Sequence, residues 1–570
     1  MAAALLCAAM CLLPAAALGG VPGWTTYRHD SARSGIDPDS TAPGAPVQAW
    51  QTPALDGQVW AEPLVYGSHV YVATENDTVY ALDLSTGAVA WAKHFASAVP
   101  SSQLPCGDIG PSVGITSTPV IDPTTGRIYV VADTWNGTSA SHRLYGLNLS
   151  DGSVGSGPVA VDPPGSVPLD QLQRAGLALD AGKVIIGYGG NDGDCGNYHG
   201  WLVAVPEAGG ALQTFEVDKD TREGAIWGSG NAPAIDSAGD IWVSTGNGSG
   251  GWDYQESVVK LDSNLNVLGH WSPSDWSSLD SSDTDLGSSM PVLLPGGLVF
   301  EIGKAGVGYL LNASSLGGTG AAPVYSGDVC GGSWGGGIYV AGVIYVTCSD
   351  GLHALTLNAS ARTFSPAAAW SVNGAAVGPP IFAGGLVWSV GTSVGASNGG
   401  LYGLDPSTGA TSFYADLGGY EHFATPSAGG GFLFVANQAG GSGDRVTAFR
   451  IVNPTPPAPA ILHLRVRAIH GKLRLKVTLS EPAGVTIAVA KLERGRRLHG
   501  HCRVGAKHGR FCDVWVRWLT RHRSLEGGLN GLRLRMRRLP PGSYLVTVTA
   551  SGPGGSSRPR EARVTVRRPW

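Results

Sequence analysis

Apolar and polar residues alternate in short runs along most of this chain, and glycine-rich turns separate the runs. The clearest run, residues 79–87 (VYALDLSTG), returns as residues 144–152 (LYGLNLSDG) and 401–409 (LYGLDPSTG). Alternation of this kind is typical of a strand with one face buried. Asp or Asn followed by Ser or Thr and then Gly favours a tight turn. The recurrence predicts an array of small antiparallel sheets.

Eight units of this type follow one another over roughly 430 residues, as expected for a repeat array. Each contains a short apolar stretch, often after a proline, then a turn, an alternating strand, another turn and a second strand. This pattern predicts an all-β chain folded as an eight-bladed β-propeller, whose closed ring leaves only short protected edges. An open-ended solenoid would need shorter repeats and capping units.

The remaining composition predicts four segments. Residues 1–20 are apolar and alanine-rich, which is typical of a signal peptide. Residues 21–452 form the propeller, and the proline-rich residues 453–460 form a stiff linker. Residues 461–570 contain short alternating runs that predict a small antiparallel β-sandwich, and this segment resembles the Ig-like modules of secreted bacterial proteins. The chain is therefore expected to be secreted or held at the cell envelope.

The two large segments carry net charges of opposite sign. Residues 461–570 contain 24 Lys and Arg against 5 Asp and Glu, whereas the rest of the chain contains 14 against 38. On a strand, Arg533, Arg535 and Arg537 share one face. Such a face suits an anionic envelope polymer or lipid headgroups, although it could also dock on the acidic propeller or simply be solvated. Nucleic acid is not expected as a partner of an exported protein, and the protein partner is unknown.

Six cysteines follow the leader: Cys106, Cys195, Cys330, Cys348, Cys502 and Cys512. An even number in an exported chain indicates disulfides. Local spacing favours the pairs 502–512 and 330–348, which leaves Cys106 for Cys195. The chain has no CxxC motif that would indicate a zinc ribbon.

The repeated phrase resembles the tryptophan-docking repeat of the pyrroloquinoline quinone (PQQ)-type propellers, over about residues 24–452. That superfamily includes quinoprotein alcohol dehydrogenases and non-catalytic relatives such as the outer-membrane assembly lipoprotein. The resemblance implies the fold and leaves the activity open, because one fold hosts several functions.

Three segments resemble the quinoprotein alcohol dehydrogenases in particular. Asn247, in a glycine-rich turn before Trp252, is similar to the turn whose Asn binds calcium in those enzymes. Asp283 and Asp285 match the segment with the catalytic base, which takes the alcohol proton. Lys304 matches the segment whose Lys or Arg contacts the quinone carbonyls. The resemblance thus implies PQQ and calcium as cofactors, Asp285 as base, and an indole such as Trp252 beside the ring.

The chain also departs from that pattern at Cys106. The dehydrogenases usually carry two adjacent cysteines over the quinone ring, and here Cys106 stands alone before Gly107 as the residue expected to border the cofactor. Plainer roles are open for the other residues. Asn247 suits a turn with positive φ, Asp283 and Asp285 suit turn caps or a structural calcium site, and Lys304 suits a solvated turn.

Two functions follow from this sequence. The first is a non-catalytic binding or scaffold propeller at the cell envelope, indicated by the compact blades and the missing cysteine pair. The alternative is a PQQ- and calcium-dependent alcohol or sugar dehydrogenase that uses Asp285 as general base.

Overall fold

The computed structural model describes residues 23–38, 46–373, 377–391, 399–439, 443–451, 459–469, 472–480, 482–498, 500–534, 539–552 and 555–567. They divide into two compact units, one within Gly20–Asn453 and one that begins at Pro454. The predicted leader, most of the linker, and Arg535 and Arg537 lie outside the described residues.

Eight antiparallel sheets of four or five strands make up the first unit, and we number them in chain order. Sheet 1 contains Gly23–Trp24, Leu64–Tyr66, His69–Thr74, Thr78–Asp83 and Val89–His94. Sheet 2 contains Val120–Asp122, Arg127–Trp135, Ala140–Asn148 and Val154–Ala160. Sheet 3 contains Gln171–Leu172, Ala178–Asp180, Lys183–Gly190, Trp201–Pro206 and Gln213–Glu216. Sheet 4 contains Ala234–Ile235, Ile241–Ser244, Val258–Leu261, Val267–Ser272 and Gly318–Thr319, the last strand lying parallel to its neighbour.

The other four sheets continue the series. Sheet 5 contains Val292–Leu294, Leu298–Ile302, Val307–Asn312 and Tyr325–Asp328. Sheet 6 contains Gly337–Val340, Val343–Cys348, Gly351–Asn358 and Thr363–Asn373. Sheet 7 contains Ile381–Ala383, Leu386–Gly391, Gly399–Leu404 and Thr411–Gly418. Sheet 8 contains Val47–Gln51, Ser427–Gly429, Phe432–Gln438 and Asp444–Arg450. The prediction of an all-β chain is confirmed, and the count of eight blades stays a prediction.

The repeated turn packs against a tryptophan of the neighbouring sheet. The indole of a tryptophan lies over the turn glycine of the next repeat, in the pairs Trp50 with Gly87, Trp91 with Gly152 and Trp370 with Gly409. Gly87 has φ +72°, and a Cβ there would lie 2.5 Å from the Trp50 ring. The Trp50 indole N–H donates to the Leu84 carbonyl at 3.0 Å. Glycine therefore serves both the backbone conformation and the close approach of the ring.

The first and last parts of the unit meet in sheet 8. Val47–Gln51 pairs antiparallel with Asp444–Arg450, so that Val47 lies opposite Arg450 and Gln51 opposite Thr447. A strand from the start of the unit thereby completes the last sheet, as expected for a closed ring.

Residues 23–38, which begin with the Gly23–Trp24 strand of sheet 1, connect distant sheets through two buried arginines. Arg28 is 1% exposed and donates to the carbonyls of Gly335 and Gly337 at 2.8 and 2.7 Å. Arg33 is also buried and donates to the Pro233 carbonyl through Nε and Nη2. These bonds join the segment to loops that precede sheets 4 and 6.

Among the described residues, helical structure is limited to short pieces. One α-helix spans Trp276–Ser281, and 3-10 turns span Ser101–Gln103, Pro168–Asp170, Gly228–Gly230 and Leu286–Ser288. A two-stranded ribbon joins Val99–Pro100 to Ser112–Val113. In the described part of the chain, no helix is long and apolar enough to cross a membrane.

The second unit consists of two antiparallel sheets. One contains Ile461–Ile469, Lys472–Leu479 and Gly528–Arg533. The other contains Ala483–Leu498, His501–Arg503, Phe511–Leu525, Gly542–Gly552, Gly555–Ser556 and Arg560–Val566. Leu475 and Val477 of the first sheet share a buried cluster with Ile487 and Val546 of the second. The Ig-like assignment stays a prediction, and the long strand Phe511–Leu525 was not predicted.

All three predicted disulfides are present. They join Cys106 to Cys195, Cys330 to Cys348 and Cys502 to Cys512.

Candidate functional site

A cavity of about 450 Å³ lies in the first unit and is lined by loops from several sheets. Five aromatic residues form part of its wall: Trp60, Tyr198, Trp227, Trp334 and Phe423. Charged side chains of both signs complete it, namely Arg174, Lys304, His422, Asp108, Asp192, Asp194, Asp283 and Asp285. Its volume is typical of a site for a small molecule or cofactor.

Four of the residues predicted from sequence meet in this cavity. Asn247, Asp283, Asp285 and Lys304 all line it. The Lys304 ammonium lies 2.7 Å from Asp283 Oδ1 and 3.0 Å from Asp285 Oδ2. The same nitrogen lies 5.9 Å from the centre of the Trp227 ring, within reach of a cation–π interaction. One cation therefore bridges two carboxylates beside an indole.

Carboxylates hold the turn that presents Asn247. The backbone N–H of Asn247 donates to Asp285 Oδ1 at 3.1 Å, and the next N–H, of Gly248, donates to Asp280 Oδ1 at 2.9 Å. The N–H of Ser249 donates to Asp218 Oδ2 at 2.8 Å. Three consecutive donors thus bind three different carboxylates, and this network fixes the turn against Asp285.

Burial and the neighbouring lysine act in opposite directions on Asp285. Burial raises the pKa of Asp285, and the charge of Lys304 partly offsets that rise. For Lys304 itself, burial would lower the pKa, but Asp285 and the hydrogen bond to Asp283 outweigh it, so the pKa is raised. The lysine therefore stays charged and favours the ionised form of the carboxylate.

A second buried acid supports the loop behind Asp285. Glu256 Oε2 accepts the backbone N–H of Leu286 at 2.6 Å, while Glu256 Oε1 is buried without a hydrogen-bond partner. Burial, and next the charge of Asp285, raise the pKa of Glu256 to about 10. Glu256 is therefore neutral at pH 7 and adds no negative charge next to Asp285.

The other two predicted residues lie outside the lining of the cavity. The Trp252 indole donates to Ser272 Oγ at 2.9 Å and packs against His270 at 4.7 Å. Cys106 is bonded to Cys195, and a Cβ at Gly193, which does line the cavity, would lie 3.4 Å from Cys106 Sγ. A disulfide between distant cysteines thus borders the cavity at Gly193.

Arg174 is a cavity residue that the sequence did not reveal, since it lies outside the repeats. It is 5% exposed, and its guanidinium lies 5.4 Å from the Trp60 ring centre. Its hydrogen bonds to the carbonyls of Thr116 and His422 are long, at 3.5 and 3.4 Å. Within the described ranges no carboxylate lies within 4 Å of it, and burial lowers its pKa. A buried cation of this kind favours an anionic ligand.

His422 and Asp108 form a second charged pair at the rim. His422 Nδ1 lies 3.3 Å from Asp108 Oδ2. This hydrogen bond raises the pKa of His422 and lowers that of Asp108. His422, Trp334 and Phe423 also line a smaller cavity of about 260 Å³, which therefore adjoins the first.

The residues present fit PQQ, which is a planar tricarboxylate. Arg174 is buried with no carboxylate oxygen within 4 Å among the described residues, and Trp60 and Trp227 supply flat surfaces in a cavity of adequate volume, whereas the charge of Lys304 is shared with Asp283 and Asp285. These side chains would hold the carboxylates and the ring.

The residues fit calcium less well. Calcium prefers six to eight oxygen ligands, and the lysine already lies against both Asp283 and Asp285. In the described part of the chain, the one group of three His, Cys, Asp or Glu side chains close enough to share an ion is Cys330, Cys348 and Asp350, but its two cysteines form a disulfide and it is not in this cavity. We therefore derive no chemical step through calcium, and the metal role of Asn247 stays a prediction.

Comparisons with known proteins agree with this architecture. A family model described as outer membrane protein assembly factor BamB matches residues 47–191. No curated protein sequence matches the chain.

Solved structures extend the likeness over most of the chain. Quinohemoprotein alcohol dehydrogenase ADHIIG from Pseudomonas putida is 14% identical, over 78% of this chain and 83% of that chain, with a TM-score of 0.56. The quinohemoprotein alcohol dehydrogenase from Comamonas testosteroni is 17% identical, over 76% and 82%, with a TM-score of 0.53. A europium-containing methanol dehydrogenase is 13% identical, over 76% and 99%, with a TM-score of 0.57.

At these identities the likeness concerns the fold. The predicted fold class is confirmed: the chain has the fold of the PQQ-like β-propellers.

Proposed function

We propose that this propeller binds a PQQ-type quinone in the cavity lined by Arg174 and Lys304, and uses it to oxidise an alcohol. The observation that carries the proposal is the convergence of Asp285, Lys304 and Arg174 in one aromatic-walled cavity. The three residues come from separate loops. If each had only a structural role in its own loop, nothing would require all three to line the same cavity.

The cation pair of Arg174 and Lys304 supports the choice of ligand. Glu75 and Asp108 act on the buried Arg174 guanidinium only from beyond 4 Å, and an ion pair with a ligand carboxylate would offset the cost of its burial. Arginine binds carboxylates in a bidentate manner, which also orients a planar ligand. The solved structures of similar fold include alcohol and methanol dehydrogenases named as quinohemoproteins or as europium-containing.

Asp285 is the residue best placed to take a proton. Its carboxylate is 5% exposed, and Oδ1 and Oδ2 are held by the Asn247 N–H and by Lys304. Burial keeps water away from the carboxylate and raises its pKa, while the lysine favours its ionised form. It would accept the hydroxyl proton of the alcohol. A bound quinone supplies the acceptor for the hydride, so that the alcohol becomes an aldehyde or ketone.

The smaller cavity provides space for the substrate. Trp334, Tyr420, Phe423 and Val377 line it, so its wall is mainly apolar, and it shares His422 with the larger cavity. This lining favours an alcohol with an apolar group over a small, highly hydrated one.

The test is dye-coupled alcohol oxidation by the purified full chain after incubation with PQQ, with and without calcium. We expect oxidation that falls by about 10²–10⁴-fold in Asp285→Asn, which is the usual contribution of a general base. Asp283→Asn is the matched variant, because Asp283 also contacts Lys304 but is 62% exposed. Equal loss in both variants, or oxidation that survives in Asp285→Asn, would contradict the assignment of the base.

A non-catalytic binding or scaffold role is the second candidate. It is supported by the match of residues 47–191 to the BamB family model. In that case PQQ would raise the melting temperature, because a ligand of the native state stabilises it, and no alcohol would be oxidised.

A further inference from the structure

A hairpin arm extends past the sandwich in the second unit. Ala483–Leu498 pairs with Gly542–Gly552 only from Gly484 to Lys491. Beyond Lys491 it pairs only with Phe511–Leu525 and, at its end, with His501–Arg503. We call residues 492–515 the hairpin arm. Seven residues of strand beyond the sheet correspond to a length of about 23 Å.

The far end of the arm is tied by a disulfide. Cys502 is bonded to Cys512, and Gly495 lies opposite Cys512 in the strand pairing. The Arg496 guanidinium donates to the Gly509 carbonyl at 2.7 Å. These links hold the loop at the end of the arm against its strands.

The arm carries a strong positive charge without acidic partners. It has two acidic residues, Glu493 and Asp513, against six basic residues: Arg494, Arg496, Arg497, Arg503, Lys507 and Arg510. In the described part of the second unit, the one ion pair joins Lys491 to Glu493. None of the six basic groups is therefore neutralised by an ion pair in the described part of the second unit, and all except Arg496, which donates to the Gly509 carbonyl, are exposed.

Two apolar side chains lie exposed among these charges. Phe511 is 60% exposed and Val504 is 47% exposed. The guanidinium carbons of Arg494 and Arg496 lie 4.3 and 4.0 Å from the centre of the Phe511 ring. The ring thus orients both guanidiniums, and more than half of its surface stays exposed.

Two tryptophans follow where the arm joins the sandwich. Trp518 is 44% exposed, with Lys491 5.7 Å from its ring centre, and Trp515 lies 5.8 Å from Arg563. The loop end of the arm therefore carries Val504 and Phe511 among basic groups, and Trp515 and Trp518 lie further along the strand. Tryptophan with adjacent Lys or Arg is typical of the boundary between a bilayer and water.

We infer that the hairpin arm docks this protein on an anionic phospholipid surface, with Phe511 and Val504 in the headgroup region and the arginines on the phosphates. Anionic lipids attract clustered Lys and Arg, and apolar side chains add affinity by leaving water. A soluble polyanion would be bound by the charges alone and would not need Phe511. The inference is independent of the quinone cavity.

The test is flotation of the purified full chain with vesicles of phosphatidylcholine alone or with 30% phosphatidylglycerol, a composition of ordinary anionic content. We expect binding to the anionic vesicles and at least about tenfold weaker binding to the neutral ones. High salt should weaken it, because salt screens the headgroup attraction. Phe511→Ser and the double variant Arg494→Gln/Arg496→Gln should each reduce binding several-fold at an unchanged melting temperature.

Leu529→Ser is the matched control, since Leu529 is 67% exposed but lies on the other sheet of the sandwich. It should bind like the wild type. Polyphosphate added as a soluble polyanion distinguishes the charge-only alternative. Binding to polyphosphate with none to vesicles, equal binding to neutral vesicles, or full binding by Phe511→Ser would each overturn the inference.

Discussion

Replacement of Lys304 by methionine tests how the cavity is held together. The substitution keeps an unbranched side chain one atom shorter and removes the cation that lies 2.7 Å from Asp283 and 3.0 Å from Asp285. Asp283 is 62% exposed, so the loss of that contact costs about 0–1 kcal/mol. Asp285 is 5% exposed and would become a buried charge without a cation. Loss of one partner of a buried pair costs about 3–5 kcal/mol.

We expect Lys304→Met to lower the free energy of unfolding by about 3 kcal/mol. This is the lower end of the range for buried pairs, because the Lys304 side chain is itself 19% exposed. The defect should depend on pH. Without Lys304 the pKa of Asp285, already raised by burial, rises further. The folded variant then holds a proton that the unfolded chain releases above about pH 4, so its stability falls as pH rises.

The assay is denaturant unfolding at pH 5 and pH 8, for the wild type, Lys304→Met, Asp285→Asn and the double variant. The double variant has no orphaned carboxylate, so the cycle should give a coupling energy of at least about 2 kcal/mol. Lys304→Arg is the control that keeps the cation. A defect below about 0.5 kcal/mol, or one of equal size at both pH values, would refute the account of this pair.

Further predictions concern other parts of the first unit. Burial raises the pKa of Glu75 to about 8 and of Asp133 to about 7, so the folded chain retains protons that the unfolded chain has lost. The melting temperature should therefore fall between pH 5 and pH 8, and Glu75→Gln should flatten that slope. Replacement of both Cys106 and Cys195 by serine should lower the free energy of unfolding, measured in denaturant, by about 2–4 kcal/mol and weaken PQQ binding. Trp252→Phe should leave PQQ affinity unchanged in a titration, because Trp252 lies outside the cavity lining.

The repeat architecture could be predicted because its signal is local. In the turn after Thr78–Asp83, the Asp83 carboxylate accepts the backbone N–H groups of Ser85 and Thr86, and Gly87 adopts positive φ. Each repeat encodes the same strand and turn, so the sequence alone identifies the unit. The pairing of Val47–Gln51 with the last sheet joins residues about 400 positions apart, and no local pattern encodes it.

The candidate site was predictable only in part. Asn247, Asp285 and Lys304 were found because their motif order resembles that of a known family, and they do line one cavity. Arg174 was missed because it belongs to no motif. Its neighbours Trp60 and Thr116 lie far from it in the sequence and contact it only in the folded chain. Trp252 follows the Asn247 turn closely, yet its indole is turned toward Ser272.

The hairpin arm was missed for a different reason. In Phe511–Leu525 the residues do not alternate between buried and exposed positions, because this edge strand lies largely outside the core. Basic residues therefore also occupy positions that would be apolar in a half-buried strand, and the apolar–polar alternation that identifies such a strand is lost.

The most direct test of the central claim is an equilibrium titration of the wild-type chain with PQQ, compared with Arg174→Gln. We predict that the wild type binds one PQQ per chain saturably, with a rise in melting temperature. The affinity of Arg174→Gln for PQQ should be at least tenfold weaker, because the buried guanidinium is lost. No binding by the wild type, or equal affinity in Arg174→Gln, would contradict this prediction.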